Sequence, residues 1–244
     1  MPGVSARLGY GWAHNGDFVT PAFYAKRIIS PSHGVTISAA IDLLDNSSPG
    51  GQALFVEDGG FPDIAGNLIR PRLEHSSRRQ LHRLYAALRA LVDDGDPMEH
   101  MMPWFGQAIE PSDGRLWLGR RWYTPWKRSL RLNWSYRRSE AVIESMIAAH
   151  GRLSEKTGGR PESVLTWAFL HNLITPHRLG GCNMGITPAN GVVDEQGRVF
   201  GYPGLYVMDG AIVPRAIGLN PSRTIAALAE RNVALLIGRQ PERS

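Results

Sequence analysis

HRLGGCNMG, from His177 to Gly185, followed by LYVMDGAIVPRAIGLNPSRTIAALAERN from Leu205 to Asn232, is the stretch whose reading decides the fold. The first piece is a histidine leading into paired glycines, a backbone that can lie against a flat ligand because no Cβ intervenes. The second is a β-prone run, an Asp-Gly turn and a helix opening at Asn220-Pro221. Pro221 suits a first helical turn. Ile225, Leu228, Ala229, Val233 and Leu236 recur at helical spacing and predict one apolar face. Such a helix start offers unpaired N–H groups and the positive end of a dipole of about half a charge, so it favours an anionic or electron-rich group. A histidine nearby can act as base or hydrogen-bond donor at neutral pH. On the residues alone, His177 as a satisfied structural histidine and Asn220-Pro221 as a plain cap remain open beside this reading.

Outward from that stretch, Val35, Ile37, Ala39, Ile41 and Leu43 alternate with smaller or polar residues and predict a strand with one buried face. DNSSPGG from Asp45 reads as a turn, ALFVE from Ala53 to Glu57 as a second strand, and the two as a hairpin. Leu81, Leu84, Tyr85, Leu88, Leu91 and Val92 predict an amphipathic helix over 77–94 with Ser76 or Ser77 as its cap. A shorter helix is expected over 97–109, then strands over 115–122 and 130–134. Ser139 caps a further helix, with Val142, Ile143, Met146, Ile147 and Leu153 on one face and Gly158-Gly159 as its stop. The GVV at Gly191 and the LYVMD at Leu205 are short β-prone pieces. A shift in composition at 165–175 is the candidate boundary.

Composition narrows the function classes. The chain has 244 residues, 43% of them hydrophobic, and a formal net charge of +5, which is ordinary globular material. Lys26, Lys127 and Lys156 are its lysines, and its arginines are spread among acidic residues, so no nucleic-acid partner is expected. The densest basic stretch, Arg120 to Arg138, reads as solvated strands with apolar inner faces. Cys182 is the single cysteine, which excludes an internal disulfide. No apolar run is long enough for a transmembrane helix, and the first residues lack the apolar core of a secretion signal, so a cytoplasmic location is expected. His14, His33, His75, His82, His100, His150 and His171 are read as satisfied core or surface histidines.

Three ordered motifs, HRLGGCNMG, GRVFGYPGLYVMDG and GLNPSRTIAALAER, resemble the C-terminal signature of the glucose-methanol-choline (GMC) oxidoreductase family, in particular its cholesterol-oxidase-like branch. AHNGDFV from Ala13, LFVEDGGFP from Leu54 and LRLNWSYRRSEAVIESM from Leu130 resemble further segments of that branch. Arg178, Asn183 and Arg215 depart from its usual pattern.

The resemblance implies an α/β plus α+β fold: part of an FAD-binding, Rossmann-like domain joined to a substrate-binding domain on a mixed or antiparallel sheet. Residues 1–18 would be a residual flavin-domain segment, 19–168 the substrate-binding domain, and 169–244 the C-terminal part of the FAD-binding domain. It implies FAD as cofactor and hydride transfer to it from a bulky, sterol-like secondary alcohol. His177 would take part in removing the hydroxyl proton. Asn220, with the helix start behind Pro221, would stabilise negative charge on the reduced ring. Asp209 and Gly210 would contact the ribityl-pyrophosphate region, Gly16 would border the cofactor, and Glu57 would be the base that moves a steroid double bond; as a solvated strand residue, Glu57 has an equally ordinary reading. No metal site is expected. No G-x-G-x-x-G turn occurs in the sequence, so the expectation is a C-terminal portion whose N-terminal FAD-binding half is its missing partner. The alternative is a catalytically inactive remnant or a lipid-binding module.

Overall fold

A computed structural model describes residues 3–60, 71, 79–93, 95–162 and 175–238. The chain forms two compact units. One consists of Met1–Asp17, Gln107–Val142 and Thr175–Ser244, the other of Phe18–Gly106 and Ile143–Ile174.

The first unit holds a three-stranded sheet in the order β1 (Tyr10–Trp12), β6 (Gly114–Arg121), β7 (Thr124–Asn133), all antiparallel. The glycine-rich stretch after His177 forms no long strand. It is held instead by single bridges and backbone bonds: Ala13 and Leu179 exchange N–H···O bonds of 2.9 and 3.1 Å, and the N–H groups of Gly180, Cys182 and Met184 donate to the carbonyls of Gly210, Ala211 and Ile212. Leu179 packs with Ala13, Val213 and Ala216 in one small core, and Val192, Val193, Val199 and Ile212 form a second. The final helix, α3 (Ser222–Leu236), reaches the first core through Ile225 and both cores through Leu228.

The apolar face expected for α3 is only half realised. Val233 and Leu236 are exposed, and the buried residue of the helix is Asn232. Its neighbour Arg231, itself exposed, donates to the carbonyl of Glu195 at 2.6 Å and to Asn232 Oδ1 at 3.2 Å, which ties this end of the helix to the turn at Glu195. The β6–β7 hairpin likewise departs from its expected apolar inner face: Leu118, Leu130 and Leu132 are all exposed.

The second unit holds a five-stranded sheet in the order β3 (Ala40–Leu43), β4 (Leu54–Asp58), β5 (Met101–Ala108), β2 (Phe18–Phe23), β8 (Arg160–Pro161), with helices α1 (Arg79–Ala90) and α2 (Glu140–Lys156). The last two residues of β5 and the first three of α2 are counted with the first unit. The β3–β4 hairpin forms as expected, with Ala40 opposite Glu57. However, the strand expected from Val35 begins only at Ala40, and Val35, Ile37 and Ile41 are exposed. β3 is an edge strand, so the alternation of its side chains reflects β-propensity rather than a buried face. The Asp58 carboxylate accepts the N–H groups of Ser38 and Ala39 at 2.7 and 2.9 Å, which fixes the chain just before it.

The helix expected over 97–109 is instead β5. Pro103 would break a helix by removing a bond and clashing with the preceding turn. In the sheet it lies directly opposite Pro21, so both strands forgo a ladder donor at the same level. Helix α2 forms where expected and buries Val142, Ile143 and Met146, while Ile147 is exposed. It ends as the glycine pair predicts: Gly158 has φ +80° and its N–H bonds Glu155 O, while Gly159 N–H reaches back to Ser154 O at 2.7 Å, a Schellman closure. Helix α1 forms with Tyr85 buried and ends at Ala90, short of the expected 94, so that the buried Val92 lies in the turn after it; its expected cap, Ser76 or Ser77, lies outside the described residues.

Candidate active site

The site is built in the first unit from the short polar run His14-Asn15-Gly16-Asp17, which follows β1 and is buried throughout. Asp17 spends both carboxylate oxygens on the segment around His177. Oδ1 accepts from His177 Nδ1 at 2.9 Å, while Oδ2 accepts from the His177 backbone N–H at 3.0 Å and from Thr175 Oγ1 at 2.6 Å. With Asp17 ionised, Nδ1 carries the proton and Nε2 is the basic nitrogen of the ring. Asp17 is fully buried, whereas the His177 side chain keeps 21% of its exposure. A buried carboxylate thus aims a partly accessible imidazole.

Two residues earlier, Asn15 performs the same service for the loop before α3. Its Oδ1 accepts from Ile217 N–H at 2.9 Å and Gly218 N–H at 3.0 Å, and its Nδ2 donates to Leu219 O at 2.8 Å. Asn220 follows directly. Its side-chain oxygen accepts from Gln107 Nε2 at 3.0 Å, which makes the NH2 the group that can donate. Pro221 then opens α3, its carbonyl accepting Ile225 N–H at 2.8 Å, and no side chain caps the helix. The first amide N–H groups of α3 therefore carry the positive end of the dipole with no side-chain acceptor supplied by the cap residue.

Between Asn15 and Asp17, only glycine fits. Gly16 has φ +69°, and a Cβ there would stand 2.4 Å from Ala108 N and 2.5 Å from Ala108 Cβ. This close approach lets Ala108 N–H bond Asn15 O at 3.0 Å, which ties the run to the end of β5.

His14 is not the satisfied histidine expected from the sequence. It is almost fully buried, and both ring nitrogens lack a hydrogen-bond partner. Burial pushes its imidazole down to about 4, against the opposing charge of Asp17. Its Nε2 lies 3.7 Å from Glu110 Oε2 and its ring meets Trp134 edge-on at 4.8 Å. Burial raises the Glu110 carboxyl above the usual range even though Ser139 Oγ donates to it at 3.2 Å.

The remaining sequence candidates are placed as follows. Asp209 opens a short 3₁₀ turn, Gly210–Ile212, and accepts Ala211 N–H at 2.8 Å; Gly210 O receives Gly180 N–H at 3.0 Å. Glu57 is on β4 in the second unit and is only 2% exposed, so it is not the solvated strand residue that was the alternative. Asn183, one of the departures in the glycine loop, uses its side chain there: Oδ1 accepts Gly181 N–H at 3.0 Å and Nδ2 donates to Pro214 O at 3.3 Å. Among the described residues no cluster of side chains could hold a metal ion, and no helix is long and apolar enough to cross a membrane. Sequence reasoning missed Asp17, Asn15 and Gln107. The signals for the first two were the resemblance of AHNGDFV to a segment of the family branch, which gave neither residue a role, and the polar run HNGD within it.

Antiparallel sheets, few helices and a carboxylate-supported histidine set in a glycine loop define the class, and comparison with known proteins agrees. The family model described as GMC oxidoreductase matches residues 69–229. A cholesterol oxidase of Mycobacterium tuberculosis is 40% identical over 96% of this chain and 42% of its own length. A long-chain-alcohol oxidase of Arabidopsis thaliana is 38% identical over 90% of this chain and 28% of its own. The crystal structure of pyridoxine 4-oxidase from Mesorbium loti superposes with a TM-score of 0.59 at 17% identity, covering 97% of this chain and 45% of that one. The chain belongs to the GMC oxidoreductase family, as its three motifs implied. It spans about two fifths of the length of that cholesterol oxidase.

Proposed function

We propose that this chain forms the alcohol-handling part of an FAD-dependent oxidoreductase acting on a CH–OH group, with a bulky, sterol-like secondary alcohol as substrate. The observation that carries the reading is the Asp17–His177 pair. A basic Nε2, held by a fully buried carboxylate on a partly exposed ring, is the arrangement needed to take a hydroxyl proton. Asp17 keeps the imidazole in one tautomer and stabilises the imidazolium that forms.

The residues present suit the redox ring of a flavin. Asn220 is oriented by Gln107 with its NH2 as donor, and the uncapped start of α3 adds backbone N–H groups, so both favour an electron-rich edge. Bound FAD supplies the acceptor for the hydride that leaves the alcohol carbon. The phosphate end is different, because no G-x-G-x-x-G turn occurs in these 244 residues; that half of the site would come from residues outside them. In this reading residues 1–18 and 169–244 contribute to a Rossmann-like FAD-binding domain and 19–168 to the substrate domain. Asp209, Gly210, Pro221 and Gly16 would border the cofactor. Glu57 would be the base for shifting a steroid double bond. Its burial in β4 supports a role other than that of a solvated strand residue.

The test is anaerobic flavin reduction by a panel of sterols and long-chain alcohols, in the protein that carries these residues loaded with FAD. Reduction is expected with the wild type and its near-complete loss in His177→Gln, with flavin still bound. Unchanged reduction in His177→Gln would overturn the reading.

A further inference from the structure

The β6–β7 hairpin exposes a surface that the redox reading does not use. Its register places Leu116 opposite Leu132, Leu118 opposite Leu130 and Arg120 opposite Arg128, all on one face. Leu118 and Leu130 are about two-thirds exposed, at 64% and 65%. Beyond the arginine pair, the tip carries Trp122, 91% exposed, and Trp126, 79% exposed, together with Tyr123, Arg121 and Lys127.

Three features ask for an occupant outside the unit. First, a two-residue hairpin turn usually draws on Gly, Asn or Asp, yet here it is Trp122-Tyr123, two rings in edge-on contact at 5.5 Å. Second, like charges directly opposite one another destabilise a strand pair, and Arg120 faces Arg128. None of Arg120, Arg121, Lys127 and Arg128 has a carboxylate partner among the described residues. Third, the segment from Gly114 to Asn133 contains six basic residues and no acidic one.

We propose that this hairpin docks on the surface of an anionic phospholipid bilayer. Trp122, Trp126 and the leucine face would rest at the boundary between headgroups and acyl chains, where indoles are favoured, while the four cations near the tip meet lipid phosphates and carboxylates. Two other occupants fit less well. A second copy in a two-fold pairing would bring this patch against itself and set cation against cation. A nucleic acid would use the arginines and indoles but leave the leucine face without a partner.

The test is co-sedimentation of the full chain with vesicles of phosphatidylcholine alone and of phosphatidylcholine mixed with phosphatidylglycerol. It reads binding rather than turnover, so its outcome is independent of the proposed activity. Binding is expected to the mixed vesicles, weakly if at all to the neutral ones, and to fall as salt is raised. Trp122→Ser combined with Trp126→Ser should reduce it. Arg120→Glu places a carboxylate opposite Arg128 and so preserves the hairpin, which circular dichroism checks. It removes two units of charge at the membrane surface and should weaken partitioning roughly thirtyfold. The proposal is overturned by an absence of binding to mixed vesicles, by equal binding to neutral ones, or by an Arg120→Glu variant that binds as the wild type does. Tighter retention on duplex DNA than on vesicles, or a dimer that shields Trp122, would overturn it as well.

Discussion

Replacing Asn15 by alanine should loosen the whole approach to Asn220. The Asn15 side chain is fully buried and makes three bonds to consecutive residues: Oδ1 with Ile217 N–H and Gly218 N–H, and Nδ2 with Leu219 O. Each such bond contributes about 1 kcal/mol net, so their loss amounts to about 3 kcal/mol. Asn15 also has φ 59°, a left-handed conformation in which alanine adds about 1 kcal/mol of strain. Asn15→Ala should therefore destabilise by about 4 kcal/mol, and Asn15→Gly, which accepts that backbone freely, by about 1 kcal/mol less. Urea unfolding of the two variants followed by tryptophan fluorescence measures both values. A loss below about 1 kcal/mol in Asn15→Ala would show that this side chain does not hold the 217–219 loop, and the argument for a common mount of His177 and Asn220 would fail with it.

Other expectations concern charge, backbone and pH. In the FAD-loaded protein, Asp17→Asn keeps the shape but removes the charge that fixes the His177 tautomer, and kcat should fall by roughly 100-fold or more with KM little changed. Gly16→Ala combines φ +69° with a clash against Ala108 and should unfold the chain or lower its Tm sharply. Gly158→Ala has φ +80° but open space around it, so thermal melts should show only about 1 kcal/mol. Burial lowers His14 to about 4 and His150 to about 3 in the folded state. The unfolded chain therefore binds protons first, and stability present above about pH 6.5 should decline as pH falls toward those values. Glu110, raised by burial, works in the opposite direction, since taking up a proton relieves the folded state. Denaturation midpoints across this range, in the wild type and in His150→Gln, should show a shallower decline for the variant.

Local pattern was legible where one element explains itself. The glycine stop of α2, the β3–β4 hairpin and the proline start of α3 are all written in short windows and appear as read. The element over Met101–Ala108 was misread because its Met, Trp and Phe residues suit a helix or a strand, and Pro103 decides between them. The buried face of α3 was misplaced because Asn232 is buried where the apolar spacing put Val233 and Leu236, and its neighbour Arg231 bonds the carbonyl of Glu195, in a turn distant in sequence. For the site, His177 and Asn220 were visible through their motifs. Their supports were not, since Asp17 lies 160 residues before His177, and Asn15 lies 202 and 203 residues before Ile217 and Gly218. No periodicity spans such a separation.

That separation also sets a timetable during synthesis. A ribosome adding about 5–20 residues per second needs on the order of 10–40 s to travel from Asn15 to the loop that receives it. For roughly the first half of that interval the early strand has no partner, until β6 (Gly114–Arg121) is made and pairs with it; Ala13 waits longer, for the bridge to Leu179. The order of synthesis thus closes the strand pair first and the polar mounts of His177 and Asn220 last, so a chain interrupted after β7 would carry the sheet without its site.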